Sequence, residues 1–358
     1  MHTSRTRPVR EHEQLDWGRL DDWLKQHVSG LRGQPEVSQY PAGNSNLTYC
    51  LRYPGSELVV RRPPFGSKVK SAHSMSREYR VMKALRPVFP TVPEVLAYSD
   101  DESIIGAEFY VMQRVAGRVA SSGIIPPQWN FSEEDTRRLC IAFWTKLIEL
   151  HQVDYQSAGL GDFGRPQGYV RRQIEGWNAR MQAAATPDGD TFKDIQEWLH
   201  QRMPDSQPAA AVLHGDYRLD NVILDNQDPS KVIAILDWEI CALGNPLMDL
   251  GSALAYWVEP GDPDVLQSLL LQPSTAPGML TRAEILQLYA EKTGVDVGGF
   301  DFYYLYGMFR NMVILQQIYN RYSKGYTQDK RFAGFGDIVL AMGEYCRELM
   351  GRSASGKL

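Results

Sequence analysis

Cysteine is scarce: Cys50, Cys140, Cys241 and Cys346 are the four in 358 residues, and no two stand in a CxxC or Cys/His ligand spacing. That excludes a disulfide framework and a zinc ribbon, and it points to buried or free thiols in a reducing compartment. Basic excess is missing too. A formal net charge of -5 argues against general nucleic-acid binding, which normally shows as a strong surplus of Lys and Arg. No apolar run approaches the ~18 residues of a membrane-spanning helix. The opening "MHTSRTRPVREHEQ" carries charge without the apolar stretch of a secretory signal, so residues 1–14 read as a flexible tail and the protein as cytoplasmic. Internal repeats, heptads and low-complexity tracts are also absent.

What is present is an ordinary globular composition, 43% hydrophobic and 23% charged, in a chain longer than one hydrophobic core usually supports. Two domains are expected. The first, residues 1–115, has a helical segment in "LDWGRLDDWLKQHV", strands in "EVSQYPAGNSNLTYCLRY" and "ELVVRR" joined by the turn "PAGNSN", a helix in "SMSREYRVMKAL" and a strand in "AEFYVMQRV". From 116 to 358 the texture is mainly helical. "SEEDTRRLCIAFWTKLIELHQV" begins with a Ser132 cap and first-turn acids, and further helices are expected over 169–184, 192–201, 282–292, 302–322 and 335–351. The fold class is therefore α+β, with a small β-rich part and a larger helical one.

Chemistry concentrates in "VLHGDYRLDNVILD" (212–225) and "VIAILDWE" (232–239). Moving a γ-phosphoryl group requires donors around the phosphates, metal bridging their oxygens, and a group that orients the acceptor hydroxyl. Asn221 and Asp237 each border a short apolar strand and offer the hard oxygen ligands that magnesium prefers. Asp216, five residues before Asn221, is then free to accept a hydrogen bond from a substrate hydroxyl. The competing reading makes all three ordinary turn-forming residues, as Asp220 and Asp225 are.

Together these stretches resemble the aminoglycoside phosphotransferase and choline kinase branch of the protein-kinase-like fold, which has HGD where protein kinases have HRD. The resemblance covers about residues 38 to 257 and implies a bilobal fold, ATP and Mg2+ as cofactors, and phosphotransferase activity on an alcohol group. It makes Asp216 the catalytic-loop acid and Asn221 and Asp237 the metal ligands. Arg218 takes the place of a lysine that meets the transferring phosphate, with a solvated pair to Asp220 as the alternative. His214 becomes a structural residue under the loop, and Asp249 in "GNPLMDLG" braces it. Upstream, Gly43, Asn44, Ser45 and Asn46 match a phosphate-covering loop, whose backbone amides face phosphate. Arg61 stands where the family usually has a lysine, Glu78 matches its helix partner, and Met112, Gln113 and Val115 match the adenine-binding hinge. Arginine keeps the charge but grips phosphate as a planar fork; this departure leaves a nucleotide-binding pseudokinase as an alternative.

The acceptor is less legible. No activation segment of the protein-kinase type follows Asp237, which favours a small molecule. From Gly299 onward eight Lys/Arg face five acids, a balance that disfavours a polycationic aminoglycoside. Arg310, Gln317 and Arg321 share one helical face, either a solvated stripe or a wall suited to an anionic acceptor. Tyr303, Tyr304, Tyr306 and Phe309 are read as core or as lining of that wall. "LVVRRPPFG" with "AILDWEICALGNPLMDLG" resembles the kinase-like region fused to, or encoded beside, acyl-CoA dehydrogenases. That resemblance implies a hydroxyacyl-CoA or hydroxy acid as acceptor and a functional association with such a dehydrogenase.

Overall fold

A computed structural model describes residues 6–41, 46–66, 74–120, 122–205, 207–228 and 230–354. Gly43, Asn44 and Ser45 of the expected phosphate loop lie outside them. Helix α1 (Trp17–His27) is capped by Asp16, whose side chain accepts from the Arg19 amide. Strands β1 (Glu36–Gln39), β2 (Leu47–Tyr53) and β3 (Ser56–Arg62) follow, then α2 (Met75–Leu85), capped by Ser74. The chain continues through β4 (Val95–Ser99), the short α3 (Glu102–Ile105) and β5 (Phe109–Gln113). The five strands form one antiparallel sheet in the order β1-β2-β3-β5-β4. Alternation buries Leu47, Tyr49 and Leu51 of β2 and Leu58 and Val60 of β3 with Phe109 and Val111 of β5, and α1 adds Leu20 and Leu24 to the same core.

Helix α4 (Glu133–His151) begins with the anticipated cap, a reciprocal pair between Ser132 and Asp135. Next come α5 (Tyr169–Ala183), α6 (Lys193–Gln201), β6 (Ala211–Leu213), β7 (Val222–Leu224), β8 (Val232–Ile235) and β9 (Ala242–Gly244). Helices α7 (Pro246–Leu254), α8 (Asp264–Gln267), α9 (Arg282–Thr293), α10 (Asp301–Ser323) and α11 (Phe335–Ala354) complete the fold. Strand β9 and helix α7 are findings the periodicity did not expose. β9 is three residues long, and α7 is buried along its whole length, so neither shows an amphipathic stripe.

The chain divides into two compact units: residues 1–119 with 153–161 and 220–241, and residues 120–152 with 162–219 and 242–358. The β7–β8 ribbon thus belongs to the first unit, and the β6–β9 pair to the second. Residues 6–14, expected to be part of a flexible tail, instead make tertiary contacts. Arg7 bridges Gln39 on the edge of β1, and the Tyr49 hydroxyl donates to the Glu13 carbonyl at 2.8 Å. An open sheet edge and a buried phenol both need partners, and this segment supplies them. All four cysteines are free and buried. Among the described residues no helix is long and apolar enough to cross a membrane.

Candidate active site

In the first unit β3 delivers Arg61 and α2 delivers Glu78, and the β7–β8 ribbon delivers the acids. The Arg61 Nη1 lies 3.0 Å from Glu78 Oε1, and its Nη2 lies 2.7 Å from Asp237 Oδ1 and 3.2 Å from Glu239 Oε2. One guanidinium therefore serves three carboxylates, which a lysine's point charge could not do with the same two-sided geometry. Burial alone would lower the pKa of Arg61, but Glu78, Tyr110 and Asp237 raise it well above its ordinary value. Burial pushes Glu78 up, against the lowering influence of the Arg61 charge and the Tyr110 hydroxyl. Asn46 donates to Glu239 Oε2 at 2.8 Å, which ties the start of β2 to this cluster.

Asn221 and Asp237 come together at one end of the ribbon. Val222 pairs with Ile235, and the Leu236 amide donates to the Asn221 carbonyl at 2.7 Å, so the two residues flank the last rung. Asp237 has φ 66°, a left-handed conformation that costs a non-glycine residue energy and concentrates at functional positions. Its side chain keeps about a third of its surface exposed. A carboxylate and an amide oxygen on one rigid ribbon fit magnesium, which needs few protein ligands and keeps several waters.

Of the hinge residues, Met112 is buried. The Gln113 amide already donates to Glu94 and the Arg114 amide to Glu57. Both N–H groups are engaged in the sheet, whereas Val115 makes no such backbone bond among the described residues.

The second unit holds the loop that follows β6. Asp249, on α7, accepts from the His214 amide and the Gly215 amide, each at 2.8 Å, and from His151 Nε2 at 3.1 Å. Burial would raise this carboxyl, but His151 and the His214 amide win and hold it below the usual aspartate value. Gly215 turns at φ 86°, where a side chain would be strained. Buried His214 accepts from the Asp216 amide at 3.3 Å. Further along, the Tyr217 hydroxyl donates to Phe143 O at 2.6 Å, and Gln272 accepts from the Leu219 amide. The loop is thereby pinned on both sides of Asp216, whose own carboxylate stays part-exposed, 3.5 Å from Arg218 Nε. Arg218 also lies over the Tyr256 ring at 5.1 Å.

Helix α10 packs on α7 through a close contact: a Cβ at Gly251 would collide with the Tyr303 carbonyl, and one at Gly307 with the Gly251 carbonyl. One turn beyond Gly307, Arg310 is buried, whereas Arg321 is exposed and Gln317 is half-buried. The three expected wall residues therefore do not share one environment. Tyr303, Tyr306 and Phe309 are buried. Sequence reasoning passed over Glu239, although "LDWE" displays it, and Tyr256 and Trp177, for which no local signal exists.

The Phosphotransferase enzyme family (APH) model matches residues 36–285. The human acyl-CoA dehydrogenase family member 11 is 32% identical over 354 residues, 97% of this chain and 44% of that protein. The chain thus spans less than half the length of this curated relative. A crystal structure from Ralstonia eutropha, assigned to the aminoglycoside phosphotransferases, is 32% identical with a TM-score of 0.81, covering 95% of this chain and 99% of that one. A thermostable mutant of aminoglycoside phosphotransferase APH(4)-Ia, solved with AMP-PNP and hygromycin B, shares the fold at 14% identity, with a TM-score of 0.56 over 91% of this chain and 97% of that one. The match over most of the chain and the agreement in fold place it plainly: this protein belongs to the phosphotransferase enzyme family, a family of small-molecule phosphotransferases.

Proposed function

We propose that this protein transfers the γ-phosphoryl group of ATP to the hydroxyl of a small hydroxyacyl thioester or hydroxy acid. The observation that carries the reading is the Arg61–Glu78–Asp237 cluster, a complete cation, helix acid and ribbon acid in the first unit. Asp216, part-exposed on a loop pinned at both sides, provides the second requirement, a carboxylate to receive a proton.

The acceptor hydroxyl oxygen forms a bond to the γ-phosphorus as the bond to ADP breaks, and its proton passes to an Asp216 carboxylate oxygen. Arg218 supplies positive charge for the phosphoryl oxygens. Arg61 exchanges part of its hold on Asp237 for phosphate oxygens and keeps Glu78. Asn221 and Asp237 would hold magnesium, which would supply positive charge to the phosphates of the nucleotide. The 32% identity to acyl-CoA dehydrogenase family member 11 supports the acyl acceptor and a functional association with such a dehydrogenase.

Transfer of labelled phosphate from ATP to hydroxyacyl thioesters tests this, with Asp216→Asn expected to lose about 10²–10⁴-fold in kcat. Equal rates in wild type and variant remove Asp216 from its role. ATP binding without turnover on any acceptor would instead indicate a pseudokinase.

A further inference from the structure

Arg310 is a buried cation without a hydrogen-bonded counterion among the described residues. Its side chain belongs to a residue only 6% exposed, and its Nη1 is fully buried with no hydrogen-bond partner among the described residues. Its guanidinium carbon lies 5.5 Å from the centre of the Trp177 ring on α5. Among the groups that act on its charge most strongly are Tyr256, Tyr306, Asp216 and Tyr169. Burial pushes the Tyr306 hydroxyl up to about 12, so that phenol stays neutral at physiological pH. Asp216 is the one carboxylate in the set, and Arg218 already pairs with it. Elsewhere on α10, Gln316 and Asn320 both donate to the Ala184 carbonyl, at 2.9 and 3.1 Å, whereas the neutral Asn311 Oδ1 shares with Arg310 the lack of a partner among the described residues. A buried, unpaired guanidinium is costly, and native interiors rarely keep one without a ligand to complete it.

We propose that Arg310 is the anchor for the acyl oxygens of the acceptor, a carboxylate or a thioester carbonyl, and that it holds them within reach of Asp216. This deepens the phosphotransferase reading and rests on it for the identity of Asp216. A cation stacked on Trp177 and surrounded by phenols fits a planar, electron-rich acyl group. The positive charge of the guanidinium repels an ammonium, so it selects against amino alcohols and aminoglycosides.

The test compares β- and γ-hydroxybutyrate, their CoA thioesters, butanediol and aminobutanol as acceptors for wild type, Arg310→Met and Arg310→Lys. Wild type should prefer the acyl probes to butanediol and butanediol to aminobutanol. Arg310→Met should lose about 10- to 100-fold in kcat/KM for the acyl probes, mainly through KM, with a much smaller change for butanediol. Arg310→Lys should recover part of that loss. Parallel losses on acids and thioesters identify the acyl oxygen as the contact, and loss on the free acids alone identifies a carboxylate. Equal proportional losses on the acyl probes and butanediol overturn the proposal, as does a wild-type preference for aminobutanol. Calorimetric binding of the hydroxybutyrates separates this from the transferase reading. If no acceptor is phosphorylated, binding that Arg310→Met abolishes still supports the anchor, and wild type that binds no acyl probe removes it. Thermal unfolding of Arg310→Met guards against misfolding, and Arg310→Lys carries the comparison if the methionine variant does not fold.

Discussion

Each unit buries a conspicuous arginine, and the two are opposites. Arg61 in the first unit meets Glu78, Asp237 and Glu239 within 3.2 Å, whereas Arg310 in the second makes no hydrogen bond to a carboxylate among the described residues. The difference separates a cation that completes the protein's own machinery from one that waits for a ligand. A satisfied buried charge stabilises the fold that holds it; an unsatisfied one costs stability until something binds.

Deleting each cation should therefore move stability in opposite directions. Arg61→Ala leaves three carboxylates crowded around an empty position and should cost about 3–5 kcal/mol, read from the urea midpoint. Arg310→Met, of similar length and apolar, should be neutral or stabilising in the absence of ligand. Comparable destabilisation by both would erase the contrast.

The contrast sharpens at the helix that carries Arg310. Gly307→Ala forces a methyl group into the Gly251 carbonyl on α7 and should cost about 1–3 kcal/mol. Because it displaces α10, it should also raise the acceptor KM while leaving the KM for ATP near its wild-type value. A reversed pattern would place α10 outside acceptor recognition.

An effect of similar size concerns the loop that carries Asp216. Asp249→Asn sets an amide donor against the N–H groups of His214, Gly215 and His151, and about 1–3 kcal/mol should be lost. The pH dependence follows from the same carboxylate. Its folded pKa lies below the unfolded value, so its contribution is fully present above the ordinary aspartate range and is lost as pH falls through the depressed folded value. Thermal melts of the wild type between about pH 5 and 2 should show this decline, starting near the usual value of about 3.9. Asp249→Asn should lack that component, and identical acid limbs in the two proteins would remove Asp249 from the account.

Much of the fold was legible because it repeats with a period. Ser132 caps α4 as expected, and the β-rich apolar runs at 47–53 and 56–62 form β2 and β3. Helix α7 was not legible, because a helix buried on all sides has no stripe to read. Residues 6–14 misled for the converse reason: a polar segment looks disordered until an open sheet edge needs covering. At the site, Arg61, Glu78 and Asp237 could be named from their motifs, and the structure brings them together. Gln113 could not be judged, since only the sheet register reveals that its amide is already used.

The sequence alone determined which side chains are candidates for the chemistry: acids and an asparagine placed beside short apolar strands declare themselves by type and spacing. Tertiary structure decided which charges are paired. Arg310 and Arg321 stand on one helical face and look alike in the chain, yet only Arg310 is buried. Whether a charge has a counterion depends on residues more than a hundred positions away, as Arg61 and Asp237 demonstrate, and periodicity carries no record of such distances.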